Sequence, residues 1–184
     1  MKKITLKIVA CLLFIAFLGA CSNEDNNIIE DTATGHAFAT AARSSLWDGI
    51  IGTSNGNSTY MITADRSAIL ADFEDVLRTE GTATSLQSLQ IVKKVATNDP
   101  TDSAFMLIGT DNIGISIGVM LSLDNGKFYL ANPSPGAGAA SSVSCRGCTT
   151  GCNLEYVKMS GKKVPYCNEN GCGEFCTKSE TSFH

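Results

Sequence analysis

The sequence predicts an α+β fold: one or two helices on an antiparallel β-meander, followed by a small cysteine-rich, disulfide-stapled C-terminal module. Three observations predict it. Apolar residues recur at helical spacing up to about residue 80 and then change to a period of two. Asn125-Gly126 stands between two alternating apolar runs, which is a strong hairpin signal. Six of the eight cysteines lie beyond residue 144, and residues 22–144 contain none.

The first helix is expected from Phe38, Ala42, Leu46 and Ile50, spaced by four, with Trp47 and Ile51 alongside; Gly49 or Gly52 breaks it. The Gly/Ser/Asn-rich stretch from Gly52 to Ser58 reads as a loop. Asp65 or Thr63 can cap the second helix. Its Ile69, Leu70, Phe73, Val76 and Leu77 share one face, and Gly81 sits where a C-terminal cap belongs. Strands follow from Leu89, Ile91 and Val95, from the short apolar run Ala104 to Ile108, and from the alternation Ile113 to Leu123. Lys127 to Ala131 is the return strand of the Asn125-Gly126 hairpin. These elements make a body over residues 35–131. Residues 132–144 (NPSPGAGAASSVS) have lost all apolar period and read as a linker to a module over residues 145–184.

In that module Cys145, Cys148 and Cys152 form C-x2-C-x3-C, and Cys167, Cys172 and Cys176 form C-x4-C-x3-C. So short a segment cannot bury enough apolar surface to fold alone, and an even cysteine count points to three disulfides. Spacing leaves all of the roughly 15 pairings open. Metal is the alternative: Cys145-x-x-Cys148 has zinc-knuckle spacing, and Cys167 or Cys172 would complete the ligands. Iron–sulfur fits less well, because the second gap is three residues where the ferredoxin run has two. A redox C-x-x-C should open a helix after a strand, and this one follows a Ser/Gly/Ala linker. Between the two cysteine groups, Leu154, Tyr156, Val157, Met159, Val164 and Tyr166 alternate around Lys158, Lys162 and Lys163, a hairpin turning near Ser160-Gly161. Its lysines are the most basic patch of the chain, either solvated or a binding face.

Catalytic motifs are missing. His36 and His184 are the only histidines, and neither has an acid and a nucleophile nearby in sequence. No G-x-S-x-G, H-E-x-x-H, P-loop or dinucleotide fingerprint is present. Ser160 to Lys163 matches S-x-x-K by chance, in a turn. Asp72, Glu74 and Asp75 read as the solvated face of the second helix.

The N-terminus carries an address. Lys2, Lys3 and Lys7 precede the apolar run Ile8 to Leu18, which has signal-peptide length and ends in Leu18-Gly19-Ala20-Cys21. This arrangement resembles the lipobox of bacterial lipoproteins. The resemblance covers about the first 25 residues and implies no activity. It implies a signal peptide over residues 1–20, lipidation of Cys21 and a flexible polar tether over residues 21–34. Ser22, in place of an aspartate, implies the outer membrane, and Ser22-Asn23-Glu24-Asp25 is similar to the acidic export signal of Bacteroidota surface lipoproteins. Loss of the three lysines lowers the basic count from 14 to 11 against 18 acidic residues, taking the formal charge from −4 to −7. Such a chain suits neither nucleic acid nor an anionic membrane, so membrane contact is expected through the N-terminal lipid alone. Asp31-Thr32-Ala33 and Asp102-Ser103-Ala104 resemble the O-glycan acceptor sequence of the same phylum, the second expected just before a strand. Together these features predict a non-enzymatic envelope lipoprotein that binds an unknown envelope or extracellular partner. A metal-binding or thiol-redox protein working through the cysteine cluster, with zinc as its metal, is the alternative.

Overall fold

Asp65 sets the start of the one helix seen in full. Its carboxylate accepts hydrogen bonds from the backbone N–H groups of Ser67 (2.9 Å) and Ala68 (3.1 Å), and α1 runs Arg66–Thr79. At the other end Gly81, at φ +81°, turns the chain left-handed. The Gly81 N–H donates to Arg78 O and the Thr82 N–H to Leu77 O, closing the helix in a Schellman motif. The computed structural model describes residues 46–131, 140–148, 151–169, 171–172 and 176–182. Cys21, the signal peptide, the tether, Thr32, His36, His184 and most of the first expected helix lie outside these. Leu46 and Trp47 of that helix are helical, and it ends before Gly49.

Among the described residues ten strands follow in chain order: β1 Gly52–Ser54, β2 Tyr60–Ile62, β3 Ser88–Ala96, β4 Asp99–Thr110, β5 Ile115–Asp124, β6 Lys127–Leu130, β7 Ser141–Arg146, β8 Asn153–Met159, β9 Lys162–Asn168 and β10 Thr177–Ser182. All pair antiparallel. Eight form one sheet around β5, and β8 and β9 form a separate hairpin. One edge of β5 pairs with β4, which carries β3. The other edge is shared. Leu121–Asp124 pair with β6, and Ile115–Val119 pair with β7. Strands β1 and β2 extend the sheet beyond β6, and β10 extends it beyond β7. The fold is α+β with a meander-like sheet, as the sequence predicts.

The sheet is buried on both faces. Under α1, Ile69, Phe73, Val76 and Leu77 cluster with Leu89, Ile91, Leu107, Ile117, Val119, Leu121 and Phe128. On the opposite face the β8–β9 hairpin lies down. Leu154 joins Met106, Ile108, Val143 and Cys145, while Tyr156 joins Ala96 and Ala104. Tyr156 and Leu154 are 0% and 2% exposed, and fully burying a side chain of such size is worth roughly 1.5–3 kcal/mol.

Three expectations are corrected. Gly52–Ser58 is not a loop throughout: Gly52–Ser54 is β1, paired with β2 and β6. Glycine is needed at residue 52 because a Cβ there would collide with the Met61 carbonyl and the Ile91 side chain. The linker 132–144 stops short of residue 144, since Ser141–Ser144 belong to β7. Leu130 and Ser142 pair with Leu121 and Val119, only two residues apart on one edge of β5. The chain therefore rejoins the sheet it left, and the six-cysteine segment begins inside the main sheet. All described residues belong to one compact unit, His36–His184. Finally, Ser103 lies within β4, half-buried and opposite Val95, rather than just before a strand.

Candidate functional site

Three disulfides join the first cysteine group to the second in chain order: Cys145–Cys167, Cys148–Cys172 and Cys152–Cys176, with Cα–Cα distances of 5.5, 5.5 and 5.2 Å. Each ties the segment around the end of β7 and the start of β8 to the segment from the end of β9 to the start of β10. Cys145 is fully buried and belongs to the sheet, so its bridge fastens the hairpin to β7 directly. The Gly147 N–H donates to Gly114 O (2.8 Å), anchoring the same end to the β4–β5 turn.

Beside this laced end, β7 and β10 turn a row of polar side chains toward the C-terminus of α1. Ser142, Ser144 and Arg146 alternate with Val143 and Cys145, which face the hairpin. The Glu80 carboxylate accepts from the Ser144 hydroxyl (2.5 Å) and the Thr181 hydroxyl (2.7 Å). Nη1 of Arg146 donates to Glu80 O (3.1 Å) and Thr82 Oγ1 (2.5 Å), and Nη2 donates to Ser179 Oγ (2.6 Å). The guanidinium thus sits at the negative end of the helix dipole. Among the described residues no group accepts from its Nε–H, although that nitrogen is buried. A buried donor left in this state costs about 1–3 kcal/mol. A shallow surface depression lined by Arg146, Gly147, Cys148 and Thr177 lies where β7 and β10 pair at this end.

The other candidates from the sequence fall elsewhere. The carboxylates of α1 do not converge on one point. Asp72 accepts from the Trp47 indole (2.9 Å), Glu74 accepts from the Leu86 N–H (2.8 Å), and Asp75 pairs with Arg78 (3.0 Å). Ser160 is a turn residue at φ +50°, so Ser160 and Lys163 form no S-x-x-K site. The hairpin lysines are largely engaged with β4. Lys158 bonds Asp99 (3.1 Å) and Asp102 (3.3 Å), and Lys163 bonds Asp102 (3.3 Å) and the Ser103 carbonyl. The basic patch is therefore a seam that docks the hairpin. The Sγ atoms of Cys152, Cys167 and Cys176 lie within 4.8 Å of one another. Zinc needs thiolates, however, and all six sulfurs are bonded in pairs here.

Arg146 and Glu80 escape a reading by motif. Arg146 is visible in sequence only as a spacer between two cysteines. The signal that finds it is the period of two across Ser142 to Arg146, which the Ser/Gly/Ala composition of the preceding stretch conceals. No protein-family model, curated protein or solved structure matches this chain.

Proposed function

We propose that this chain is an exported, non-catalytic binding module of the bacterial cell envelope, held to the outer membrane by lipid on Cys21. The observation that carries the reading is the set of three disulfides at one end of the molecule: Cys145–Cys167 joins β7 to β9, and the other two join the loop after β7 to the loop after β9. Such bonds belong to an oxidising compartment, which is where a signal peptide of this type delivers a protein. Loops held in this way lose little conformational freedom on binding, so more of the contact energy becomes affinity. No helix among the described residues is long and apolar enough to cross a membrane. The proposed anchor, read from Leu18-Gly19-Ala20-Cys21 alone, is lipid on Cys21, with residues 21–34 as the tether. The test is Cys21→Ser followed by fractionation. The variant should leave the membrane fraction or accumulate unprocessed; normal processing with unchanged membrane partition would contradict the proposal.

A second reading rests on the three clustered sulfurs of Cys152, Cys167 and Cys176. If these bridges are opened by a dithiol, three thiolates stand within reach of one soft metal such as zinc. Alkylation of the native protein separates the two readings. Labelling of Cys152, Cys167 and Cys176 only after chelation supports the metal centre, and no labelling without reductant supports the staples.

A further inference from the structure

We infer that β10 pairs edge to edge with β10 of a second copy of this chain. The inference goes beyond the binding-module reading and rests on it only for the membrane surface on which two copies meet. Among the described residues β10 pairs with β7 on one side and with no strand on the other. An open edge presents a row of backbone N–H and C=O groups that a further strand can take. The other edges of the fold are guarded. At one end of the sheet β2 is only three residues long. On β3 the Leu89 carbonyl accepts from Arg66 Nη2 (2.9 Å), and the register shifts between Val95 and Ala96. In the hairpin, the Tyr156 carbonyl of β8 accepts from the Thr97 N–H (3.1 Å). The Lys158 N–H and carbonyl are both bonded to the Asn98 side chain (2.9 and 2.8 Å). Strand β9 contains Pro165. Shortness, bulges and proline are the devices that keep edges apart. Strand β10 has six residues, no proline and an unbroken register with β7.

Charge selects the occupant and its register. Side chains alternate between the faces of a strand, so a two-fold axis relating two antiparallel copies of β10 must pass through a residue. Lys178 and Glu180 are exposed on the face turned away from α1. An axis through Ser179 sets Lys178 of each copy opposite Glu180 of the other and Thr177 opposite Thr181. An axis through Lys178 or Glu180 sets like charges against each other, and no other axis pairs the two charges. Opposite charges and threonine pairs across a strand pair are stabilising. The ion pair that Lys178 and Glu180 form within the strand (3.2 Å) is thus exchanged for two between strands. The edge is also ordered in advance. Ser179 Oγ accepts from Arg146 Nη2 (2.6 Å), the Thr181 hydroxyl donates to the Glu80 carboxylate (2.7 Å), and the Cys152–Cys176 bridge holds the chain just before Thr177. Little conformational freedom is lost when such a strand pairs.

The test is sedimentation velocity of the full chain in a non-ionic detergent over a range of concentrations, with the native, Lys178→Glu and Glu180→Lys chains. The native chain should dimerise reversibly, and amide exchange in β10 should slow as concentration rises. Each variant sets like charges together at two symmetry-related places, so its dimer dissociation constant should rise about tenfold or more. An equimolar mixture of the two variants sets carboxylates on one strand against ammoniums on the other and should dimerise as the native chain does. Near-ultraviolet circular dichroism and thermal melts report the fold of each variant. A native chain that is monomeric at every concentration would overturn the pairing. So would folded variants that dimerise undiminished, a mixture that stays monomeric, or dimers with unchanged exchange in β10. General repulsion between acidic copies predicts tighter self-association of Glu180→Lys, and that result would overturn it as well. None of these results alters the membrane partition of Cys21→Ser, so failure here is distinguishable from failure of the envelope reading.

Discussion

At the Lys158 ammonium two carboxylates meet, Asp99 at 3.1 Å and Asp102 at 3.3 Å, and the contact joins β8 to the start of β4. The Thr101 hydroxyl, ahead of Lys158, holds the Asp99 carboxyl down at about 2, from an ordinary 3.8. The Tyr156 hydroxyl, donating at 2.9 Å, is the main reason that Asp102 also lies below its usual range. Lys158 is raised in turn, chiefly by its bond to Asp99. Carboxyls depressed in the folded state contribute stability above their unfolded value, and that contribution disappears as pH falls through the folded one. The seam should therefore hold at neutral pH and weaken between about pH 4 and pH 2. The carboxyl carbon of Asp99, followed by NMR, should titrate with a midpoint near 2; a midpoint at 3.8 would mean that neither the Thr101 bond nor the Lys158 pair is formed. Tyr156→Phe removes a part-buried hydrogen bond to the Asp102 carboxylate and should lower the midpoint of a urea melt. The pairing of these lysines was not legible in sequence, because their partners stand some 60 residues away, beyond any local spacing rule.

Between residue and molecule stand the elements whose local chemistry is complete in the sequence. The Asp65 cap, the apolar face of α1 and the Gly81 terminus are legible because each depends on residues within one turn. The same holds for the turns at Asn125-Gly126 and Ser160-Gly161, where both residues adopt positive φ. Elements β1 and β7 were not legible. Each is short and poor in β-branched residues, and each is held as a strand by pairing with β6 or β5 rather than by its own propensity. One signal was available for the hidden layer. Met106, Leu107 and Ile108 are buried in succession, the mark of a strand covered on both faces. Gly118 shows how closely that layer sits. A Cβ there would lie 2.7 Å from both Leu107 O and Leu154 Cδ2. Gly118→Ala should therefore push the hairpin away and cost about 1–3 kcal/mol. Amide exchange at Leu154 and Tyr156 should rise more than exchange in α1; unchanged exchange in β8 would contradict the packing.

At the largest scale the described residues form three layers, helix, sheet and laced hairpin, and the six described cysteines belong to the last two. Composition alone separates a cysteine-free body from a cysteine-rich tail and so suggests two independent parts. Long-range pairing of β7 with β5 overrides that division. The consequence is measurable through Trp47, the only tryptophan, which is 5% exposed in the core under α1. Loss of a native disulfide in a small exported domain costs about 2–5 kcal/mol. If the laced end is continuous with the sheet, reduction should lower the unfolding midpoint seen by Trp47 fluorescence. An independent tail would leave that midpoint where it was. The pairing itself is tested most directly by mass spectrometry of the non-reduced, alkylated and digested chain taken from its native envelope. Cross-linked peptides should join Cys145 to Cys167, Cys148 to Cys172 and Cys152 to Cys176, with no alkylation at any of the six. Any other pairing, or free thiols at these positions, would contradict a module laced in this order and with it the rigid binding end on which the proposed function depends.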